Sequence, residues 1–197
     1  MSAPPSARTD NGSVSLRDGR VVQIRPSRPE DVEKLLELHA ALSPATRQAR
    51  YFTAGGTKRQ VDAERLAKAD GSHDVVLVAT VEGGEQIVAV GELARVREQA
   101  ELALVVRDDY QEVGLGGHLF PRLLLAAQEQ GLQRVELTLL SGNQRILQLV
   151  RRHNSRLRQP EHGVVYVTID VGSAPPTLLS GNVTPAARRP PHPPLRS

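Results

Sequence analysis

The stretch that decides the fold is Leu102-Ala103-Leu104-Val105-Val106-Arg107-Asp108-Asp109-Tyr110-Gln111-Glu112-Val113-Gly114-Leu115-Gly116-Gly117-His118-Leu119. It starts as an apolar strand, bends through polar residues, turns at glycines and continues as a helix. Such a unit points several unpaired backbone N–H groups and the positive end of a helix dipole at one place. Because glycine has no Cβ, an anion can approach the turn closely. The stretch therefore predicts a loop that binds a pyrophosphate.

The glycine spacing of this stretch separates the classes of phosphate-binding loop. No Gly-Lys-Ser or Gly-Lys-Thr follows the strand, which excludes a P-loop, and no G-x-G-x-x-G follows it, so the dinucleotide pattern is absent. What remains is Q-x-x-G-x-G, carried by Gln111, Gly114 and Gly116. The alternative interpretation is a glycine-rich helix start that binds nothing.

Outward from this loop, the periodicity predicts a mixed sheet with helices on both faces, an α/β fold without internal repeats. Strands are predicted at 14–16, 21–25, 74–81, 85–96, 100–107, 134–140 and 164–171. The first two form a hairpin around Asp18-Gly19, and the three from 74 to 107 are antiparallel neighbours. Helices are predicted from a capping box at Ser27 to Leu42, after Ser43-Pro44, and at 61–69, 115–130 and 143–153.

Composition limits the class of protein. Aromatic residues make up only 3% of the chain, which weakens an aromatic platform for nucleic acid, and the absence of cysteine excludes thiol nucleophiles and thiolate metal sites. The net charge of +3 resides in Arg188, Arg189 and Arg196, so residues 1–171 balance at zero and the basic pI does not indicate nucleic-acid binding. No signal-peptide pattern is visible, so we expect a cytoplasmic protein.

The two ends of the chain differ from its middle. Residues 1–12 offer nothing to pack, and residues 172–197 are rich in proline without an acidic residue. We expect both ends to be disordered and residues 13–171 to form one domain.

The Q-x-x-G-x-G pattern, following a strand that ends Val-Val-Arg-Asp-Asp-Tyr, closely resembles the coenzyme A signature of the GCN5-related N-acetyltransferase (GNAT) superfamily. Three further segments agree with the family in order and spacing. Residues 21–31 resemble its opening strand and helix start, and residues 42–52 resemble an L-S-x-x-S/T-x-x-x-R-F/Y-F segment. Residues 143–152 resemble a segment whose asparagine contacts the cofactor. The segment at 42–52 is closest to the branch of bacterial protein-lysine acetyltransferases.

The resemblance implies a mostly antiparallel GNAT sheet that splays between strands 100–107 and 134–140. It implies acetyl-CoA as the cosubstrate, lying in that splay. The residues implied to bind it are Leu104, Val106, Gln111, Val113, Gly114, Leu115, Gly116, Gly117 and Asn143. By the same resemblance, strand amides near Leu104 and Val106 hold the thioester and the pantetheine and stabilise the oxyanion when an amine attacks.

One proton remains to be moved, because an amine is protonated at neutral pH and cannot attack in that form. By resemblance Glu101, on the strand ten residues before Gln111, is the catalytic base, and Glu92 on the preceding strand is the reserve. The alternative for Glu101 is a solvated or salt-bridged strand residue. Strand alternation places Glu101, Ala103 and Val105 on one face, and either face could meet the substrate.

The chain also departs from the family pattern. Val150 occupies the position where many members carry a tyrosine acid for the leaving thiolate, and Asn154-Ser155 replaces a frequent Gly-Phe. His118 is either a phosphate contact or a plain helix residue, and Arg47 and Arg50 either recognise an acidic group or form internal salt bridges. The histidines show no clustered spacing, so no metal site is predicted.

The leading hypothesis is therefore an enzyme that transfers an acetyl group from acetyl-CoA to a primary amine, either a protein lysine or a small molecule. The alternative is a catalytically weak acyl-CoA-binding sensor or interaction module, motivated by Val150 and the missing Gly-Phe. Nucleic-acid binding would rest on three tail arginines alone. The sequence leaves a homodimer open.

Overall fold

The computed structural model describes residues 12–52, 59–81, 83–96 and 99–172. The disorder expected of the two ends falls outside these ranges, apart from Gly12, which begins the first strand, and Gly172. The predicted division of the chain into one domain and two loose ends stays a prediction.

The described chain forms one sheet in the order β1-β2-β3-β4-β5-β6-β8-β7. All neighbours are antiparallel except β5 and β6, which are parallel. The strands are β1 (Gly12–Ser15), β2 (Val21–Pro26), β3 (Val75–Val81), β4 (Ile87–Val96), β5 (Gln99–Val106), β6 (Arg134–Leu140), β7 (Ser155–Leu157) and β8 (Val164–Asp170).

Helices cover both faces of this sheet, as predicted. They are α1 (Val32–Ala41), α2 (Pro44–Tyr51), α3 (Arg59–Ala67), α4 (Leu115–Glu129) and α5 (Gln144–Val150), with 3-10 turns at Pro29–Asp31 and Asp108–Tyr110. None of the helices described is long and apolar enough to cross a membrane.

Two apolar layers separate the helices from the sheet. In the larger layer, Leu119, Leu123 and other residues of α4 pack on one face of the sheet. In the smaller layer, Leu35 of α1 and Leu66 of α3 pack on the other face, over the strands β3 to β5. Helix α2 has no buried residue, so polar contacts must hold it in place.

The predicted elements are confirmed to within a few residues, including the leading hairpin and the three antiparallel strands. The predicted Ser43 cap of α2 is also confirmed, because its hydroxyl accepts from the Thr46 N–H at 3.2 Å. Strand β7 was not predicted. It has three residues, too few for an alternating pattern to be recognised.

The predicted capping box at Ser27 is wrong. Ser27 directly follows β2, and its N–H donates to the Val76 carbonyl of β3 at 2.8 Å. Its buried hydroxyl has no partner among the described residues. The carboxylate of Asp31 accepts from the N–H of Arg28 instead, at 2.9 Å. Asp31 takes this role because Arg25 fixes both of its oxygens at 2.7 Å.

Candidate active site

The strands β5 and β6 lie side by side over a short distance only. Their pairing has a single registered pair, Glu101 with Glu136, so the two strands separate beyond it. The Arg107 N–H donates to the Val88 carbonyl of the preceding strand, and the hydrogen-bonding direction alternates along an antiparallel ladder. The N–H groups of Leu104 and Val106 therefore point away from β4, into the gap.

The loop after β5 has the backbone needed to start a helix facing that gap. Glu112 and Gly114 have φ angles of 62° and 99°, and α4 begins directly afterwards at Leu115. The first N–H groups of a helix have no partner within it, so this end of α4 offers donors and a positive dipole. Apart from its chain neighbours and the backbone of its own helix, a Cβ on Gly117 would meet no described atom within 4 Å. The turn is therefore open at the place where an anion would approach.

The side chain of Gln111 is hydrogen-bonded to other parts of the protein. Its Nε2 donates to the Val106 carbonyl at 2.9 Å and to the Thr46 hydroxyl at 3.2 Å, and its Oε1 accepts from Arg145 Nη1 at 2.7 Å. Arg145 also bonds the Glu112 carboxylate, with its Nε at 2.8 Å. Gln111 thus links β5, α2 and α5, and any contact that it makes to a ligand must share this amide.

The leading hairpin supports the same loop from another side. The Arg17 N–H donates to the Val113 carbonyl at 3.0 Å, and its guanidinium donates to the Glu112 carbonyl at 2.6 Å. Arg20 lies over the ring of Tyr110, 3.8 Å from its centroid. The sequence did not reveal this contact, because the hairpin lies some ninety residues before the loop, and no local pattern connects them.

The other predicted cofactor residues have structural roles of their own. Leu115 is buried in the core. Gly116 packs against Leu104, since a Cβ added to this glycine would lie 3.4 Å from the Leu104 side chain. Val113 is half-buried against the same core. Asn143 caps α5, its Oδ1 accepting from the Ile146 N–H at 3.4 Å. Their predicted contacts with coenzyme A stay predictions.

A cleft of about 290 Å³ lies on the opposite side of β5 from α4, beside the point where the strands separate. Of the two faces of β5, the one that carries Glu101 and Ala103 lines this cleft. The full lining is Arg50, Tyr51, Asp62, Arg65, Glu92, Ala94, Glu101 and Ala103.

The two carboxylates predicted as bases have different surroundings. Glu92 is buried, and its oxygens accept from the guanidinium groups of Arg50 at 2.9 Å and of Arg65. Taking a proton would break these bonds, so Glu92 is suited to holding α2 and α3 against the sheet. Glu101 is exposed and makes no hydrogen bond or ion pair within the described ranges. Its oxygens are available to a substrate.

A buried polar cluster next to the cleft was missed by sequence reasoning. The Tyr51 hydroxyl lies 2.8 Å from Nε2 of the buried His39 and 3.4 Å from the Asp62 carboxylate. Burial, followed by the nearby charge of Asp62, raises the pKa of Tyr51 well above its usual value, although Arg50 opposes this shift. Tyr51 therefore stays protonated and fixes the end of α2 on α1 and α3.

The opposite end of α2 is fixed to the 3-10 turn Asp108–Tyr110, directly before the glycine loop. The carboxylate of Asp108 accepts from the Ser43 N–H at 2.9 Å and from the hydroxyl groups of Ser43 and Thr46, both at 2.7 Å. Burial alone would raise the pKa of Asp108, but these bonds outweigh it and the pKa is lowered. The interactions of α2 therefore span from the loop to the cleft.

The remaining predicted positions are less directly involved. Val150 is fully buried in the core. Asn154 is followed at once by β7 and has no left-handed backbone. Arg50 forms an internal salt bridge, and Arg47 donates to the Leu42 carbonyl at 2.6 Å. Burial lowers the pKa of His118, in the first turn of α4.

Replacing Gly117 with alanine separates binding from stability. Alanine is favoured over glycine in a helix, so we expect the free energy of unfolding to stay the same or rise by about 0.5–1 kcal/mol. The added methyl group occupies the space at the helix start, so we expect the Kd for acetyl-CoA to rise about tenfold or more. Calorimetric titration and urea denaturation measure the two effects. Unchanged affinity would show that no phosphate approaches Gly117.

Comparisons with known proteins agree with this geometry. The chain is 36% identical over 140 residues to acetyltransferase PA5475 of Pseudomonas aeruginosa, covering 68% of this chain and 74% of that protein. It is 29% identical over 161 residues to acetyltransferase Pat of Mycolicibacterium smegmatis, covering 80% of this chain but only 48% of that protein. The chain thus spans about half the length of the second relative.

Solved structures share the fold. The GNAT domain of S. lividans PAT superposes with a TM-score of 0.71 at 24% identity, over 81% of this chain and 96% of that one. The yncA protein of Salmonella typhimurium, solved with its cofactor acetyl-CoA, gives a TM-score of 0.63 at 16% identity over 80% of this chain and 99% of that one.

The model of the acetyltransferase (GNAT) family matches residues 34–154, which include the cleft, the loop and the separating strands. The chain belongs to this family of acetyltransferases.

Proposed function

We propose that this chain transfers an acetyl group from acetyl-CoA directly to a primary amine, with Glu101 as the base. The observation that carries this proposal is the position of Glu101, an exposed carboxylate without a partner among the described residues, on the strand whose free amide edge faces the gap. The residues present fit acetyl-CoA, because the gap offers strand amides for a thioester oxygen and the start of α4 offers amides for a pyrophosphate.

Acetyl-CoA, when bound, supplies an acetyl thioester whose carbonyl carbon the amine attacks. Glu101 takes one proton from the ammonium group, directly or through one water, so that the nitrogen has a free electron pair. The N–H groups of Leu104 and Val106 are about 6.6 Å apart along the strand, so one of them donates to the carbonyl oxygen and stabilises its developing negative charge, and the other is left for the pantetheine. The new C–N bond forms, the C–S bond breaks, and the second nitrogen proton is lost to solvent as coenzyme A leaves as a thiolate or a thiol.

The charges of the cleft favour a cationic acceptor. Two guanidinium groups, on Arg50 and Arg65, are balanced by two carboxylates, on Glu92 and Asp62. Glu101 then adds one uncompensated negative charge to the described lining. An ammonium group would be attracted to the cleft, and an acid would be repelled from it.

A protein lysine is the acceptor that we propose first. The sequence at 42–52, which resembles the protein-lysine branch, forms α2, and Arg50 and Tyr51 of this helix line the cleft. A small-molecule amine is the alternative, because the same lining would accept any primary ammonium group that fits.

The competing function is a domain that binds acyl-CoA without turnover. Its support is Val150, a buried apolar residue at the position where many family members carry a tyrosine acid. A thiolate can leave without such an acid, so this observation does not by itself require an inactive protein.

The deciding experiment measures coenzyme A release from acetyl-CoA with lysine peptides, polyamines and amino acids. The chain contains no cysteine, so a thiol reagent reports coenzyme A alone. Release that depends on an added amine, together with an acetylated product in the mass spectrum, supports the transferase. Binding of acetyl-CoA without release on every amine would support the sensor instead.

A further inference from the structure

A row of side chains crosses the sheet at the point where β5 and β6 separate. Registered partners place Ala94 beside Glu101, Glu101 beside Glu136, Glu136 beside Thr168, and Thr168 beside Arg156. Neighbouring strands are about 4.8 Å apart, so one side chain of the row follows another at that spacing. The cleft residue Glu101 therefore has a second carboxylate as its immediate neighbour.

Glu136 lies on the same face of the sheet as Glu101. Val135 and Leu137, on either side of it, are buried in the layer that packs on α4, and side chains alternate along a strand. The neighbours of Glu101, Ala100 and Leu102, are buried in the same layer. Both glutamates thus point away from α4, toward the side on which the cleft opens.

Among the described residues, this side of β6 and β8 forms a floor that is only partly covered, with α2 lying beside β6. Helices α1 and α3 cover the strands β3 to β5, and their apolar layer contains no residue of β6, β7 or β8. Tyr166 of β8 is 46% exposed, and Thr138, Thr168 and Glu136 are half-buried. The floor continues the cleft past Glu101, so a long acceptor has a surface on which to lie.

Two arginines on this floor, Arg134 and Arg156, share a partner, whereas Arg158, opposite Tyr166, has no carboxylate partner among the described residues. Arg134, two residues before Glu136 on the same face, donates to Asp170 at 3.1 Å, and Arg156 donates to the other oxygen of Asp170 at 2.6 Å. Glu136 makes no hydrogen bond or ion pair anywhere in the ranges that the structure describes. Its charge is available to a substrate, as is that of Glu101.

We propose that Glu136 is an acceptor-binding residue that, with Glu101, holds the ammonium group of the substrate. The proposal rests on the proposed function and assigns the class of acceptor: a primary ammonium group at the end of an aliphatic stem, with no carboxylate beside it. An ammonium group has three N–H donors, enough for both carboxylates and for a water. Glu136 holds the ammonium group in place until Glu101 removes its proton.

The same arrangement rejects an α-amino acid. Its carboxylate lies on the carbon next to the amine, so binding the amine would bring a third negative charge against Glu101 and Glu136. The side chain of lysine and an aliphatic diamine both carry the required group on a stem of several carbons. The two sources differ in the group at the far end of the stem, a peptide in one case and a second ammonium group in the other.

The test compares Glu136→Gln, Glu136→Asp and the control Glu129→Gln, an exposed glutamate at the end of α4. With a lysine peptide blocked at its α-amine, we expect Glu136→Gln to raise the acceptor KM about tenfold, the effect of losing a charged hydrogen bond, and to change kcat by less than threefold. The KM for acetyl-CoA should not change. Glu136→Asp should recover part of the loss, and Glu129→Gln should behave as wild type.

A second arm measures selectivity with 1,5-diaminopentane and with free leucine. We expect the wild type to prefer the peptide and the diamine over leucine, and Glu136→Gln to reduce this preference at least fivefold. A diamine that works as well as the peptide would indicate a small-molecule acceptor of the same chemistry. Wild-type turnover with unchanged KM and selectivity in Glu136→Gln would overturn the role of Glu136 alone, whereas absence of wild-type turnover on every amine would overturn the proposed function itself.

Discussion

Replacement of Glu101 by glutamine is expected to lower kcat for acetyl transfer by about two orders of magnitude, the usual size of a general-base effect. Glutamine has nearly the same shape as glutamate but cannot accept the proton of an ammonium group. Glu101 is exposed and has no partner within the described chain, so the free energy of unfolding should change by less than about 0.5 kcal/mol. Steady-state kinetics with a saturating amine measures the effect.

The controls for this prediction separate catalysis from binding. The affinity for acetyl-CoA should be unaffected, because the loop and the strand amides are intact, and Glu129→Gln should retain wild-type kcat. Raising the pH should partly restore the variant, since more of the amine is then unprotonated in solution. If kcat is unchanged at neutral pH, solvent water takes the proton and Glu101 is only a strand residue.

Replacement of Asp31 by alanine is expected to have the largest effect on stability. Asp31 is fully buried and Arg25 is 7% exposed, and the two side chains form two hydrogen bonds of 2.7 Å. Removing the carboxylate leaves a buried guanidinium group without its counter-ion, which typically costs about 3–5 kcal/mol. Urea denaturation should show this loss. The matched control is Asp18→Ala, which removes an exposed pair with Arg20 and should cost less than about 1 kcal/mol.

The effect of Asp31 should also depend on pH in a defined direction. Burial by itself would raise the pKa of Asp31, but the bonds from Arg25 and from the Arg28 N–H outweigh it, so the pKa is lowered in the folded state. A carboxylate whose pKa is lower in the folded state than in the unfolded state stabilises the fold at any pH above its unfolded-state pKa, which is near 4. This stabilisation is lost as the pH falls through the folded-state pKa. The difference in the free energy of unfolding between the wild type and Asp31→Ala should therefore be constant at pH 5–8 and become smaller below about pH 4. A constant gap down to pH 2 would contradict this.

The sequence predicted the elements because each has its own local signal. The alternation of β5, the glycines before α4 and the Ser43 cap each lie within a few residues of one another. The same alternation placed Glu101 on the opposite face of the strand from Leu102 and Leu104. In the structure, the face that carries Glu101 lines the cleft. Local signals were therefore enough to select Glu101 as the proposed base and to locate the glycine loop.

The features that the sequence did not predict depend on contacts between distant residues. Arg50 and Arg65 occupy the oxygens of Glu92 from 42 and 27 positions away, so the reserve base could not be distinguished from a buried ion pair. The pairing of Glu136 with Glu101 depends on the register of two parallel strands, and the alternation within each strand leaves that register open. No local pattern connects His39 of α1 with Tyr51 of α2, although the Tyr51 hydroxyl lies 2.8 Å from the histidine Nε2.

The separation of β5 from β6 makes a central strand behave, beyond Glu101, as an edge strand. Exposed strand edges are templates for the addition of another chain, and proteins protect them by covering them or by keeping them short. Under the proposed function, the pantetheine part of acetyl-CoA covers this edge. The substrate would then protect the fold as well as react. We expect amide hydrogen exchange at Leu104 and Val106 to be faster in the free protein than in the complex, and the free protein to be more prone to strand addition and aggregation.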